Sequence, residues 1–374
     1  MVKLSKKKTG KRVMSAMAVC SLLLLGMPQA NADDKVVNVY NWGNAIGKET
    51  VANFEKATGI KVVYQEFDSN DTLQAKLLSG HSQYDVVVPS DLYWARQLKA
   101  GLFQKLDSGK LPNTGHLDPK IMAYLKRDDP SMRYGVPWSW GTDGLGINVE
   151  KVTAALGHAP QSDWELFFNP QNLQKLKGCG VSMLDSPLDG FGMALQYLKK
   201  DPNSSNPQDY QDAYKLLKSI RPYITQFNSS GYINDLAEGD VCIAFGWSGD
   251  VNTARLAALG AHKKYHIKYL LPDSGTAIWF DMLAIPKDAP HPDAAHKFIN
   301  FVLSDKESAS LTNDTSYPTA IPAARAFIHP DVLADPAVFP PSEAYKNFIT
   351  GIPLSNELQR LENRLWNALK TGIN

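Results

Sequence analysis

Short apolar runs alternate along the chain with stretches whose apolar residues recur every three or four positions. VVNVYNW (36–42) reads as a strand, KETVANFEKATG (48–59) sets Val51, Phe54 and Ala57 at helical spacing and stops at Gly59, and IKVVYQEF (60–67) reads as a strand again. That is a βαβ unit. SNDTLQAKLLSG (69–80) opens with a polar cap, carries Leu73, Leu77 and Leu78 on one face and ends at Gly80; YDVVVPS (84–90) adds a buried strand of β-branched residues. Alternation of this kind predicts a doubly wound, mainly parallel sheet flanked by helices, with ligand sites beyond the carboxyl ends of the strands. Three such ends stand out: NWGN at 41–44, PSD at 89–91 and GWSGD at 246–250.

The pattern breaks in the middle. VPWSWGTDGLGINVEKV (136–152) is dense in Gly and Trp before strand and helix resume, as a crossover between two lobes would be. A second α/β run fills 143 to about 254, DMLAIPKDA (281–289) reads as a strand returning to the first lobe, and PDAAHKFINFVLSDKESASLTN (292–313) as one long amphipathic helix. SNELQRLENRLWNALKTG (355–372) closes the body as a helix. With 374 residues the chain exceeds the ~250–300 at which single cores usually split. The expected division is residues 33–140 plus 256–306 for one lobe and 141–255 plus 307–374 for the other.

Composition changes the picture at the N-terminus. Lys3, Lys6, Lys7, Lys8, Lys11 and Arg12 precede an apolar run at 13–27, and Ala30-Asn31-Ala32 offers a small-residue cleavage site, so residues 1–32 read as a secretory signal peptide. The apolar run falls short of the ~20 residues of a membrane span. Val19 before Cys20 counts against a lipoprotein signal, which wants a small residue there. The expected location is the periplasm. The leader holds six of the 39 Lys and Arg and none of the 38 Asp and Glu, leaving 33 basic against 38 acidic residues, a net of −5. A mildly acidic body argues against nucleic acid and anionic membranes as partners and is compatible with a cationic ligand. Cys179 and Cys242 remain as an even pair in an exported chain, which favours a disulfide over a metal site because no further Cys or His stands near enough to complete a zinc shell.

Candidate chemistry gathers at the strand ends. Trp42, Trp247 and Trp279 stand at or near them, with Asp250 and Asp281 three and two residues after the last two. A carboxylate pairs with an ammonium through hydrogen bonds worth ~1.5–3 kcal/mol, and an indole face adds ~0.5–2 kcal/mol of cation–π attraction. Taken singly, each Trp is better read as core and each Asp as a helix cap; their recurrence at several strand ends shifts the balance toward an amine site. Catalysis finds less support. His262, His266, His291 and His296 have no metal-ligand spacing, and there is no nucleophile elbow, P-loop or dinucleotide fingerprint. GTDGLG (141–146) lacks the Lys-Ser/Thr ending of a phosphate loop and reads as a hinge. Asp185 and Asp189 could form a glycosidase pair, although acids this close on a loop more often cap a helix or bind a cation. No catalytic residue, cofactor or metal is expected.

NVYNWGNAIGKETVANFEKATGIKVVY, QYDVVVPSDLYWARQLKAGLFQKLD and YINDLAEGDVCIAFGWSGDV together resemble the periplasmic polyamine-binding proteins of ABC importers, most closely the putrescine-binding type, over essentially the whole mature chain. The resemblance implies a two-lobed periplasmic binding protein fold, a cleft between the lobes, crossovers that act as a hinge, and a Cys179–Cys242 bridge. It makes Trp42 and Ser90 first-lobe residues of the cleft, Asp189 an acid facing the ligand from the second lobe, Trp247 with Asp250 and Trp279 with Asp281 two aromatic–carboxylate pairs, and Tyr317 a cleft wall. The expected partners are a small cationic amine and an inner-membrane ABC permease, served by a monomer. Closure on the ligand would follow from contacts made only in the closed form.

One stretch departs from that family. Its usual motif is Asn-Trp-Ser/Thr-Asp/Glu-Tyr-Ile, whereas Asn41-Trp42 is followed here by Gly43, Asn44, Ala45 and Ile46. A missing carboxylate would cost ~2–3 kcal/mol, roughly a factor of 30 to 150 in affinity. Gly43, Asn44 and Asp91 are therefore included in the expected site, Asp91 or Tyr93 being the candidates to compensate. The departure leaves open a monoamine, an amino acid with a distal amine, or an acylated polyamine. A binder of an anion, sugar or ferric ion would want cationic residues or clustered tyrosines instead, and an extracellular enzyme or sensor module is the remaining alternative.

Overall fold

The computed structural model describes residues 35–372, so the expected leader lies outside the described residues. Ten strands occur among them. β1 (Val36–Trp42) is flanked in parallel by β2 (Lys61–Phe67) and β3 (Val86–Val87), in a register that brings Trp42 beside Phe67 at the carboxyl end. The helix between β1 and β2, Thr50–Thr58, ends where Gly59 takes the left-handed φ of 70° that glycine adopts at little cost. β3 is shorter than the expected strand at 84–90, but Val87 exchanges two backbone hydrogen bonds of 3.0 Å with Ala284 and thereby carries the sheet onward.

The remaining strands are β4 (Val136–Asn148), β5 (Val181–Met183), β6 (Gln226–Phe227), β7 (Ile243–Trp247), β8 (Ile267–Leu270), β9 (Thr276–Leu283) and β10 (Phe348–Thr350). They lie in the order β10-β9-β4-β7-β5-β6, with β8 also on β4. β5, β6 and β7 are parallel, while β4 runs antiparallel to β7, β8 and β9. β4 is buried at all 13 positions and serves two neighbourhoods: 136–142 pair with β9, and 143–147 with β7. GTDGLG therefore lies inside a continuous strand, not in a loop. Its glycines leave room for the side chains above them, since a Cβ on Gly141 would stand 2.5 Å from the Trp279 ring, one on Gly144 2.4 Å from the Tyr269 hydroxyl and one on Gly146 2.7 Å from Val251.

Two hydrophobic cores result. The first draws on 37–140 and 278–328, the second on 145–271 and 358–369. The expected boundaries at 256–306 and 307–374 differ from this in two places. Ala258, Ile267, Tyr269 and Leu270 pack in the second core because β8 pairs with the far half of β4. Ala309, Leu311, Ala320 and Ile321 pack in the first, where Glu307 accepts a 2.8 Å hydrogen bond from the Thr50 hydroxyl. The expected long helix at 292–313 is two helices, Pro292–Val302 and Asp305–Thr315, broken at Ser304 so that the second can turn onto the helix at 50–58.

Cys179 and Cys242 form a disulfide with a Cα–Cα distance of 5.4 Å, joining the chain just before the neighbouring strands β5 and β7. The cysteines are 63 residues apart. Closing a loop of that length removes enough unfolded-state freedom to contribute about 4 kcal/mol in the chain-entropy account. Reduction is therefore expected to move the urea unfolding midpoint to lower concentration by about that free energy, with the native fold retained in buffer; an unchanged midpoint would place the stabilisation elsewhere.

Candidate functional site

The carboxyl ends of the parallel strands of both cores open on a cavity of about 580 Å³. All eleven expected site residues line it: Trp42, Gly43, Asn44, Ser90, Asp91, Asp189, Trp247, Asp250, Trp279, Asp281 and Tyr317. Nine carboxylates line it in all, with no Lys, Arg or His among its described lining residues.

β1 delivers Trp42, whose ring packs on Phe67 at 4.6 Å. The turn beyond it is held by Asn41, which donates from Nδ2 to the Ala45 carbonyl and the Tyr64 hydroxyl, both at 2.9 Å. Asn44 takes a positive φ of 56°, a conformation asparagine tolerates better than most residues. The rings then continue across to the other core: Trp42 to Trp247 at 6.0 Å, Trp247 to Trp279 at 6.4 Å, Trp279 to Tyr317 at 5.4 Å. The indole N–H groups of Trp42 and Trp279 are buried without a hydrogen-bond partner among the described residues.

Asp250 sits in the first turn of the helix Ser248–Gly260, and both its oxygens are fixed by phenols: Tyr317 donates to Oδ1 at 2.7 Å and Tyr232 to Oδ2 at 3.0 Å. The same Tyr232 oxygen accepts the Trp247 backbone N–H at 3.0 Å. The glycines of GWSGD make this possible. A Cβ on Gly246 would come within 2.5 Å of the Tyr232 ring, and one on Gly249 within 2.6 Å of the Tyr317 ring. Tyr232 was not anticipated from the sequence; two glycines beside an acid were the available sign of large rings nearby.

Asp281 lies on β9 opposite Ser139, whose hydroxyl donates to Oδ2 at 3.0 Å, while Ser90 donates to Oδ1 at 3.4 Å. Asp91, at the start of the helix Asp91–Lys99, accepts the Phe280 N–H at 3.3 Å. Asp189 lies in the first turn of the helix Pro187–Tyr197, which Ser186 caps. Behind it, Asp143 on β4 is buried with both oxygens unpartnered; Trp279 lies near but closes no hydrogen bond of ordinary geometry. Asp185 is engaged elsewhere, accepting from Trp366 Nε1 and Lys370 Nζ, each at 2.8 Å, so it does not face Asp189 as a free partner.

These acids sit deep in a site that offers too few compensating charges. Burial pushes the carboxyl of Asp250 up to about 6 against its two phenol hydrogen bonds, and that of Asp189 to about 6 against donors on Ser186 and Trp247. Burial likewise raises Asp91 to about 7, and Asp281 to about 7 with Asp91 and Asp250 adding repulsion. Asp143 is raised by burial and then by Asp189. An arrangement that penalises its own negative charge is one that a cation would relieve. At the mouth, Glu66 on β2 places Oε2 3.8 Å from where a Cβ of residue 43 would stand. A carboxylate thus approaches the position at which the motif lacks its acid, and alternation along β2 gave no warning of it.

A two-lobed α/β body whose halves converge carboxylates and indoles on one cavity defines a solute-binding protein. The chain belongs to the bacterial extracellular solute-binding protein family, whose model matches residues 49–340. It is 44% identical over 367 residues to the putrescine-binding periplasmic protein SpuD of Pseudomonas aeruginosa, covering 98% of this chain and 99% of that one. It is 41% identical over 364 residues to the putrescine-binding periplasmic protein PotF of Escherichia coli, covering 97% and 98%. Among solved structures, a putative spermidine/putrescine ABC transporter from Listeria monocytogenes superposes with a TM-score of 0.80 at 28% identity, covering 90% of this chain and 99% of that chain.

Proposed function

We propose that this chain is the periplasmic binding component of an ABC importer and captures a polyamine, with putrescine as the reference ligand, between its lobes. The observation that carries the reading is the acidic cavity, with no Lys, Arg or His among its described lining residues and with Asp250 held by two phenols at the end of an aromatic arc. A buried carboxylate facing a cavity needs a cation to repay its desolvation. Trp42, Trp247, Trp279 and Tyr317 supply apolar and cation–π walls for the methylenes and ammonium groups, and Asp189, Asp250 and Asp281 supply the counter-charges; Ser90 and Asp91 orient Asp281 and the strand beneath it. SpuD and PotF are both named as periplasmic proteins, and the basic-apolar-small pattern of 1–32 supports removal of that segment here.

The moving bodies are the units built on the two cores, joined through β4 and β9, and the closed form presents both lobes to a membrane permease as a monomer. Solute capture calls for no turnover. The test is titration calorimetry with putrescine, glucose and sulfate. Micromolar or tighter binding of the diamine alone is expected; binding of the sugar or the anion in its place would overturn the reading. The turn at 43–45 favours a second reading, a ligand with one amine and a bulkier polar end, which the same titration with a monoacetylated diamine separates.

A further inference from the structure

Asp185 differs from the other acids of the cavity. Of the nine carboxylates in the lining it alone is ion-paired among the described residues, and its partner comes from the far end of the chain: Lys370 Nζ donates to both Oδ1 and Oδ2 at 2.8 Å, and Trp366 Nε1 adds a third donor to Oδ1 at 2.8 Å. Trp366 and Lys370 stand four residues apart on the C-terminal helix Asn356–Thr371, hence on one face of it, and Glu362, four residues before Trp366, brings that face to the cavity wall. The helix is itself tied down. Trp366 is 2% exposed, its ring meets that of Phe227 edge-on at 5.5 Å, and Arg221 donates to the Leu369 and Lys370 carbonyls at 3.2 and 3.3 Å.

The grip falls on both ends of a short segment, 185–190. At its start is the clamp on Asp185; at its end a Cβ on Gly190 would stand 2.5 Å from the Trp366 ring, so the backbone there lies directly against the indole. Asp189 lies between. Within the segment itself the Asp185 N–H donates to the Ser229 hydroxyl at 2.9 Å, the Gly190 N–H to the Ser186 carbonyl at 3.0 Å, and the Asp189 N–H to the Ser186 hydroxyl at only 3.5 Å. The pair of Lys370 and Asp185, with side chains 31% and 38% exposed, contributes little to stability. Its effect is geometric, because a carboxylate that is to meet an ammonium must be held within about 0.5 Å of its place. We propose that Lys370 and Trp366 are positioning residues for ligand capture: by clamping Asp185 and seating Gly190 they fix where the Asp189 carboxylate stands in the cavity. This rests on the amine reading above and adds to it the part of the chain that sets the second-lobe acid.

The test is calorimetry with putrescine at pH 7 on the wild type, Lys370→Met, Lys370→Arg, Asp189→Asn and the double variant carrying Lys370→Met and Asp189→Asn. Lys370→Met is expected to weaken binding about tenfold, and Lys370→Arg, whose guanidinium meets a carboxylate at two points, to stay within about threefold of wild type. On the Asp189→Asn background, Lys370→Met should cost less than about twofold further, because the acid it positions is already gone. A clamp that served stability alone would lower the melting temperature and cost the same factor in both backgrounds. Should Lys370→Met melt early, Trp366→Phe, which keeps a ring beside Gly190 and removes the N–H donor, carries the same expectation. Lys370→Met binding putrescine as tightly as wild type or tighter, or losing the same factor with and without the Asp189 carboxylate, overturns the positioning role alone; a wild type that binds no putrescine overturns the amine reading itself.

Discussion

Replacing Asp250 by Asn should weaken putrescine binding by roughly 10- to 150-fold, equivalent to ~1.5–3 kcal/mol for a charge-assisted hydrogen bond, while leaving the fold intact. The fold survives because the amide can still accept from one phenol and donate to the other, Tyr232 and Tyr317 being able to act in either sense. Thermal stability without ligand should hold or rise, since the substitution removes a carboxyl whose ionisation burial opposes. The effect concentrates on Asp250 because its oxygens cannot swing away: two hydroxyls fix them, and two glycines admit the rings that carry those hydroxyls. Calorimetry and a thermal melt on the same preparation decide it. Affinity within about threefold of wild type, with a normal melt, removes Asp250 from the site.

The second large effect is on pH. Affinity for a diamine should fall steeply as pH drops from 8 to 5. Alkyl ammonium groups keep their proton throughout, as lysine does with its value near ~10.4. The carboxyls do not: Asp250 and Asp189 titrate at about 6 and Asp91 and Asp281 at about 7 in the absence of ligand. Each carboxyl that must ionise to receive the cation costs up to about tenfold per pH unit below its own value. Stability of the ligand-free protein runs the other way. These native values lie above the ~3.9 of an unfolded Asp, so between about 4 and 7 the native state holds more protons and loses stability as pH rises through that window. Titrations and melts at pH 5, 6, 7 and 8 test both slopes. A flat affinity profile would mean that the acids are already ionised before the ligand arrives.

The parts of the fold that were legible in the sequence are those governed by local pattern. The βαβ opening, the Gly59 stop and the helix at 356–371 follow from periodicity and caps. What escaped was decided by partners far along the chain. The segment 256–271 joins the second core through β8 on β4, and 309–328 the first through contacts with the helix at 50–58; no local pattern distinguishes these packings from the reverse. The site divides likewise. Trp42, Trp247, Asp250 and Asp281 stand out because indoles and acids at strand ends are conspicuous in the chain itself. Tyr232, Glu66 and Glu362 do not: one reaches the site from a helix that precedes β7, one from the penultimate position of β2, and one occupies a helix face that otherwise reads as core.

The glycines of GWSGD also set how such a protein can change its diet. Any side chain at 246 or 249 would collide with a tyrosine, at 2.5 and 2.6 Å, so the anchor around Asp250 admits almost no variation. At Gly43 the nearest atom to an added Cβ is a carboxylate oxygen 3.8 Å away, leaving room for a new residue. One end is frozen and the other is open to drift, so descendants can acquire new nutrients by single substitutions at the rim without first dismantling the grip on the amine.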